Sequence, residues 1–201
     1  TGAALERDSN TVALGQVVHN ARALQELEGR GLREVTGLVE VDSHQVVVTA
    51  HGATPELFRE AAARGLEVVD TTCPLVRRVQ RHAQEMNQAG LAVVVVGNAR
   101  HSEVQGVVGW AGAGNGSIVE VVASVEEADR LPFRERRGVL CQSTFPQERF
   151  REIVERLRLR SGEVEVRDTS CPVVNQRHRE AVAAMLDDVD VVLVVGGRGS
   201  A

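Results

Sequence analysis

Tyrosine and lysine are missing from this chain, and tryptophan occurs once. With only four Phe beside that Trp, the core has to be aliphatic, built from Val, Leu and Ala. All 23 basic residues are arginine, which we read as composition rather than function. Cysteine is also scarce, at Cys73, Cys141 and Cys171. An odd, low count argues against a disulfide framework and for a reducing compartment, so the expected location is cytoplasmic. Cysteines kept in such a place are buried fillers, nucleophiles or metal ligands. Positive charge is not in excess. A net charge of −5 leaves no polybasic footprint for nucleic acid or an anionic membrane. No apolar run approaches the roughly 20 residues of a membrane span, and no secretory leader is read ahead of the first elements. What remains is 201 residues with 43% hydrophobic and 25% charged content. That is ordinary for a soluble chain long enough to bury a core, as one compact domain or two small ones.

Short valine-rich runs alternate with amphipathic stretches. Residues 45–50, 66–70, 91–97, 117–122, 138–143, 163–168 and 190–197 read as strands. Unbroken β-branched runs such as VVVV at 93–96 fit strands buried on both faces, hence parallel pairing. Residues 54–65, 74–90, 124–131, 146–160 and 172–188 read as helices with Thr, Ser or Pro openings, and 21–31 as a further one. Strand–helix alternation predicts an α/β fold with parallel-rich sheets.

The chain also repeats itself. VVDTTCPLV (68–76) and VRDTSCPVV (166–174) are nearly the same nine residues. The likeness extends outward, with Pro55 meeting Pro146, Phe58-Arg59-Glu60 meeting Phe150-Arg151-Glu152, and Gly97 meeting Gly196. This predicts two copies of one small α/β unit, at 45–115 and 116–201, preceded by the remnant of a first unit at 1–44.

In parallel α/β units, function collects at the carboxyl ends of strands. Those ends here carry His19-Asn20, His51-Gly52, Thr71-Thr72-Cys73, Asn98 with His101 and Glu103 beyond it, Gln142-Ser143-Thr144, Thr169-Ser170-Cys171, and Ser200. Cys73 and Cys171 each open a helix, where the field of the N-terminus favours negative charge and so suits a thiolate. Three readings stand for them: structural cysteines made alike by duplication, a nucleophile with a His base, or metal ligands. His19, His51 and His101 close apolar strands and together suit an anion cradle. His44, His82 and His178 read as surface residues. Glu103, in RHSEVQG, is either a proton donor in a closed cleft or an exposed loop or N-cap acid. Cys141 lies inside a strand and reads as a core thiol. VVLVVGGRGS lacks the full glycine spacing of a dinucleotide turn.

Seven segments, LGQVVHN (14–20), AHG (50–52), VDTTCPLV (69–76), RHSEVQGVVGW (100–110), CQSTF (141–145), DTSCP (168–172) and VVLVVGGRGSA (191–201), together resemble the LytB/IspH family and stand in its order over nearly the whole chain. The resemblance implies a pseudo-threefold arrangement of three small α/β units around a central site. It implies an iron–sulfur reductase of 4-hydroxy-3-methylbut-2-enyl diphosphate that yields isopentenyl and dimethylallyl diphosphate. A ferredoxin or flavodoxin supplies the electrons, and neither nucleic acid nor a membrane takes part. It further implies Cys73 and Cys171 as ligands of a [4Fe-4S] cluster, with a third cysteine upstream of Thr1, and a chain that is a fragment of a divergent member, short at both ends. His19, His51, His101, Ser143, Thr144 and Ser200 would bind substrate, while Glu103, His101 and Ser143 would serve the chemistry. Asn98 stands where many members carry His, and Cys141 and Ser143 where Thr is common. A cluster-free diphosphate-binding or scaffold homologue and a cysteine hydrolase are the alternatives, with a nucleotide-binding module behind them.

Overall fold

The computed structural model describes residues 2, 6, 10–18, 20–112, 116–173, 178–186 and 188–193. The first sheet contains β1 (Val12–Leu14), β2 (Arg33–Val35), β3 (Gln45–Val48) and β4 (Glu67–Asp70). The second contains β5 (Ala92–Val96), β6 (Val119–Val122), β7 (Arg134–Cys141) and β8 (Ser161–Arg167). Every pairing is parallel. The orders are β2-β1-β3-β4 and β6-β5-β7-β8, so the two sheets share one topology. The helices are α1 (Ala21–Glu28), α2 (Pro55–Ala63), α3 (Pro74–Gln88), α4 (Ser102–Trp110), α5 (Val125–Arg130), α6 (Gln147–Arg158) and α7 (His178–Ala183). The α/β class expected from the alternation is the class found. No helix among the described residues is long and apolar enough to cross a membrane.

The sequence pattern accounts for most of these elements. Every residue of β3 and of β5 is buried, as unbroken valine runs require of strands covered on both faces. In α3 the apolar residues Val76, Val79, Ala83 and Met86 are buried, and in α6 Phe150, Ile153, Val154 and Leu157. Both sets follow helical spacing. α3 and α4 cover one face of the second sheet through Val79, Ala83, Met86, Val104 and Val107. α5 and α6 cover its other face. α3 therefore leaves the first sheet after β4 and packs on the second, which joins the two sheets.

The sequence repeat is out of phase with the sheets. The segments that match one another run from the end of a sheet's third strand, β3 or β7, and reach their Cys-Pro after the fourth, β4 or β8. One expectation needs correction, and two elements were not foreseen. Residues 102–110, which carried no element in the sequence reading, form helix α4. Its glycines lowered the helical signal, but His101 caps it and Val104 and Val107 are fully buried. Strand β2 was not foreseen, because three residues are too few to show a period. Of the strand expected at 190–197, residues 190–193 are not in a strand, with Val191 and Leu193 strongly exposed. Residues 194–197 lie outside the described residues.

Candidate active site

The repeated nine residues build the same loop twice. In the first, the Asp70 carboxylate accepts the Thr72 N–H and hydroxyl, the Thr71 hydroxyl donates to the Val48 carbonyl, and the Cys73 N–H donates to the Ala50 carbonyl at 3.0 Å. In the second, the Asp168 carboxylate accepts the Ser170 N–H and hydroxyl, the Thr169 hydroxyl donates to the Cys141 carbonyl, and the Cys171 N–H donates to the Ser143 carbonyl at 2.6 Å. In each loop the aspartate closes a turn on its own chain, and the first threonine ties the loop to the last residue of the sheet's third strand. The cysteine is then held two residues beyond that strand. Burial pushes the Asp168 carboxyl up, but the Ser170 hydroxyl, the Gln147 amide and the Ser170 N–H together hold it below its ordinary value. Cys73 and Cys171 are half-buried, free and unbridged.

Cys73 is the N-cap of α3, with Pro74 at the first helical position. One turn on, Arg78 reaches the Asp168 carbonyl at 3.5 Å, which ties α3 to the second cysteine loop. His51 lies just past Ala50, the residue that anchors Cys73. Its ring meets that of His101 edge-on, centroids 5.2 Å apart. His101 caps α4, its Nδ1 accepting the Glu103 N–H at 3.2 Å, so the ring's Nε2 is left to donate. Gly52, between His51 and α2, takes a positive φ of 76°, a conformation that suits glycine.

Glu103 is 2% exposed. Its two carboxylate oxygens accept the Ser143 N–H at 2.6 Å and the Ser143 hydroxyl at 2.8 Å. The exposed-acid reading of Glu103 is thereby set aside, since a buried carboxylate with two donors on one residue is a held group. Ser143 also accepts from Cys171. Cys73, His51, His101, Glu103, Ser143 and Cys171 thus follow one another through contacts and short turns. Thr144 is next to Ser143 and accepts from the Gln142 amide at 3.0 Å, while the other end of that amide accepts the Asn98 N–H at 3.1 Å. Gln142 was named from sequence among the strand-end residues but given no role. Its signal was a polar residue directly after a buried strand, and it ties the β5 and β7 loops together. A cavity of about 180 Å³ adjoins this region, lined by Gly15, Gly52, Ser102, Gln105 and Gly106 among others. His19 and Ser200 lie outside the described residues.

Two thiols offer part of the soft donor set that iron–sulfur clusters use. Among the described residues no group of three His, Cys, Asp or Glu is arranged to hold a metal ion. Cys141 does not join the pair. It is fully buried, and burial pushes its thiol up to about 11, against a lowering by the Thr169 hydroxyl. The folded chain therefore keeps this proton more tightly than the unfolded chain does. That stability is complete below the thiol's ordinary 9.0 and is lost as the pH climbs toward about 11. In the folded protein at about pH 8, iodoacetamide is expected to label Cys73 and Cys171 and to spare Cys141, as read by mass spectrometry. Labelling of Cys141 at the rate of the other two would contradict its place in the core.

Comparison with known proteins adds a family. The model of the LytB protein family matches residues 1–201. The 4-hydroxy-3-methylbut-2-enyl diphosphate reductase of Geobacter sulfurreducens is 38% identical over 198 residues, covering 98% of this chain and 68% of that protein. The reductase of the same name from Caldanaerobacter subterraneus is 32% identical over 200 residues, covering 97% of this chain and 67% of its own length. A solved structure of (E)-4-hydroxy-3-methyl-but-2-enyl diphosphate reductase superposes with a TM-score of 0.76 at 30% identity, over 99% of this chain and 70% of that one. The reductase of Plasmodium falciparum superposes with a TM-score of 0.85 at 24% identity, over 99% of this chain and 63% of that one, a likeness of fold.

Proposed function

The chain belongs to the LytB family, and on that premise we propose that it carries out the reductive dehydroxylation of 4-hydroxy-3-methylbut-2-enyl diphosphate. The substrate takes up two electrons and two protons, its C–O bond to the hydroxyl breaks, and water leaves with isopentenyl or dimethylallyl diphosphate as product. The observation that carries this reading is Glu103, buried beside the His51–His101 pair with both oxygens on Ser143. That is a held acid next to an imidazole cradle, at the strand ends where such folds bind ligands.

In this reading His19, His51 and His101 take the diphosphate, with Ser200 adding a hydroxyl. Ser143 and Thr144 hold the substrate's alcohol end. Glu103 hands its proton to the departing hydroxyl, and Ser143 fixes the carboxyl in place for that transfer. Cys73 and Cys171 would supply two of the thiolates that hold a [4Fe-4S] cluster. The cluster, when bound, supplies electrons and Lewis acidity to the site. A low-potential protein of ferredoxin or flavodoxin type delivers the electrons, in the cytoplasm. The three units at 1–44, 45–115 and 116–201 surround the site in this reading. The alternative is a cluster-free diphosphate-binding homologue.

Anaerobic reconstitution with iron and sulfide, on the chain extended upstream through the expected cysteine, separates the two. We expect a four-iron cluster by iron and sulfide analysis and by visible absorption. Cys73→Ser and Cys171→Ser should each lose it, because the two loops are equivalent, while Cys141→Ser should keep it. If the extended chain binds no iron yet still binds the substrate in calorimetry, the cluster-free reading replaces this one. Dependence on a single cysteine would instead point to a nucleophile.

A further inference from the structure

A second cavity, of about 320 Å³, opens between α2, α3 and α4. Its size is at the lower end of small-molecule sites. The α3 residues that line it are Arg77, Gln80, Arg81 and Gln84, one helical stripe that is wholly polar. Phe58 and Trp110 supply aromatic surface, and Asp70 stands at the edge. No role in the reaction proposed above uses any of these side chains.

The lining has a definite chemistry. Arg77 is engaged, its guanidinium 2.8 Å from the Asp70 carboxylate, so these two charges cancel. Arg81 meets Glu85 only at 3.8 Å and is 65% exposed, which leaves its cation available to a ligand. The Trp110 N–H is already donated to the Ala53 carbonyl at 3.0 Å, so the indole offers its apolar surface. Gln80 is 5% exposed, and its amide nitrogen is buried without a hydrogen-bond partner among the described residues. A buried donor left in that state costs on the order of 1–3 kcal/mol. Turning the amide about its last bond would offer that donor to an occupant of the cavity.

We propose that this cavity is a second ligand site, for a small planar organic monoanion such as an aromatic carboxylate, anchored by Arg81 and the Gln80 amide. The ring lies against Phe58 and Trp110, and the carboxylate meets Arg81. The position of Gln80 links the site to the candidate active site. A Cβ on Gly52 would fall 2.4 Å from the Gln80 amide nitrogen, and one on Gly106 would fall 3.3 Å from it. The group that an occupant engages therefore abuts both the turn that follows His51 and the helix that His101 caps.

The test uses the chain's own reporter, because Trp110 is the sole tryptophan and there is no tyrosine. Benzoate titrated into the protein should change Trp110 emission saturably, and uncharged benzamide over the same range should not. Arg81→Ala, an exposed change, and Gln80→Leu should each weaken benzoate about tenfold, as the loss of one hydrogen bond to a charged group predicts. No saturable change, an equal response to benzamide, or full affinity in Arg81→Ala would overturn the proposal. So would displacement of benzoate by inorganic diphosphate, which would make the cavity part of the substrate site. None of these outcomes depends on a bound cluster, so failure here leaves the reductase reading standing.

Discussion

Glu103→Gln is expected to lower kcat by roughly a hundredfold to ten-thousandfold, the usual range for loss of a positioned general acid. The iron content and the substrate KM should stay near those of the unmodified enzyme. The substitution is isosteric, and the remaining amide oxygen still accepts the Ser143 N–H that Glu103 now accepts at 2.6 Å. What it removes is the carboxyl group's capacity to pass a proton to the leaving hydroxyl and its hold on the Ser143 hydroxyl at 2.8 Å. Ser143→Ala tests the supporting role. It keeps the acid but frees one carboxylate oxygen, so its fall in kcat should be smaller, about tenfold. Steady-state and single-turnover rates would decide both. A Glu103→Gln enzyme within about threefold of the parent would remove Glu103 from the chemistry, since that lies well below the range for acid catalysis.

Arg137→Met is expected to cost about 3–5 kcal/mol of stability, the range for breaking a buried charge pair. The Arg137 side chain has no exposed surface, and its Nη2 donates to the Glu120 carboxylate at 3.1 Å and the Pro132 carbonyl at 2.9 Å. Its Nη1 donates to the Arg160 carbonyl and the Ser161 hydroxyl, both at 3.1 Å. Removing the guanidinium strands the Glu120 carboxylate, which is only 16% exposed, and takes the Arg137 donor from the Pro132 carbonyl, while the Arg160 carbonyl keeps the Arg134 N–H at 3.1 Å. Adding Glu120→Leu should recover part of the loss, because the uncompensated charge goes with it. Urea unfolding measures both variants. A loss under about 1 kcal/mol for Arg137→Met would mean that solvent reaches the pair and that it behaves as a surface one.

The class of fold and the level at which function sits are legible in the amino-acid order alone. Valine runs name strands buried on both faces, Pro and hydroxyl residues mark helix starts, and the duplicated Asp-Thr-[Thr/Ser]-Cys-Pro places two thiols at equivalent corners. These signals are short-range, carried within a turn or a strand, and so they are legible in one dimension. The tertiary structure decided what happens to groups whose cost depends on distant partners. Glu103 stayed open between a cleft acid and an exposed one because its partner, Ser143, is 40 residues away. Arg137 lies in a run of charged residues ahead of the strand expected at 138–143 and carried no reading from sequence; it is buried because Glu120, Pro132, Arg160 and Ser161 surround it. The two-sheet division also emerged only in three dimensions. The repeat counts copies of a chain segment, whereas a sheet is closed by backbone hydrogen bonds, and these join β5 to β7 and β1 to β3 across the intervening helices. A charged or polar residue is tolerated in the interior only where its partners converge, and that convergence is a property of the packed chain.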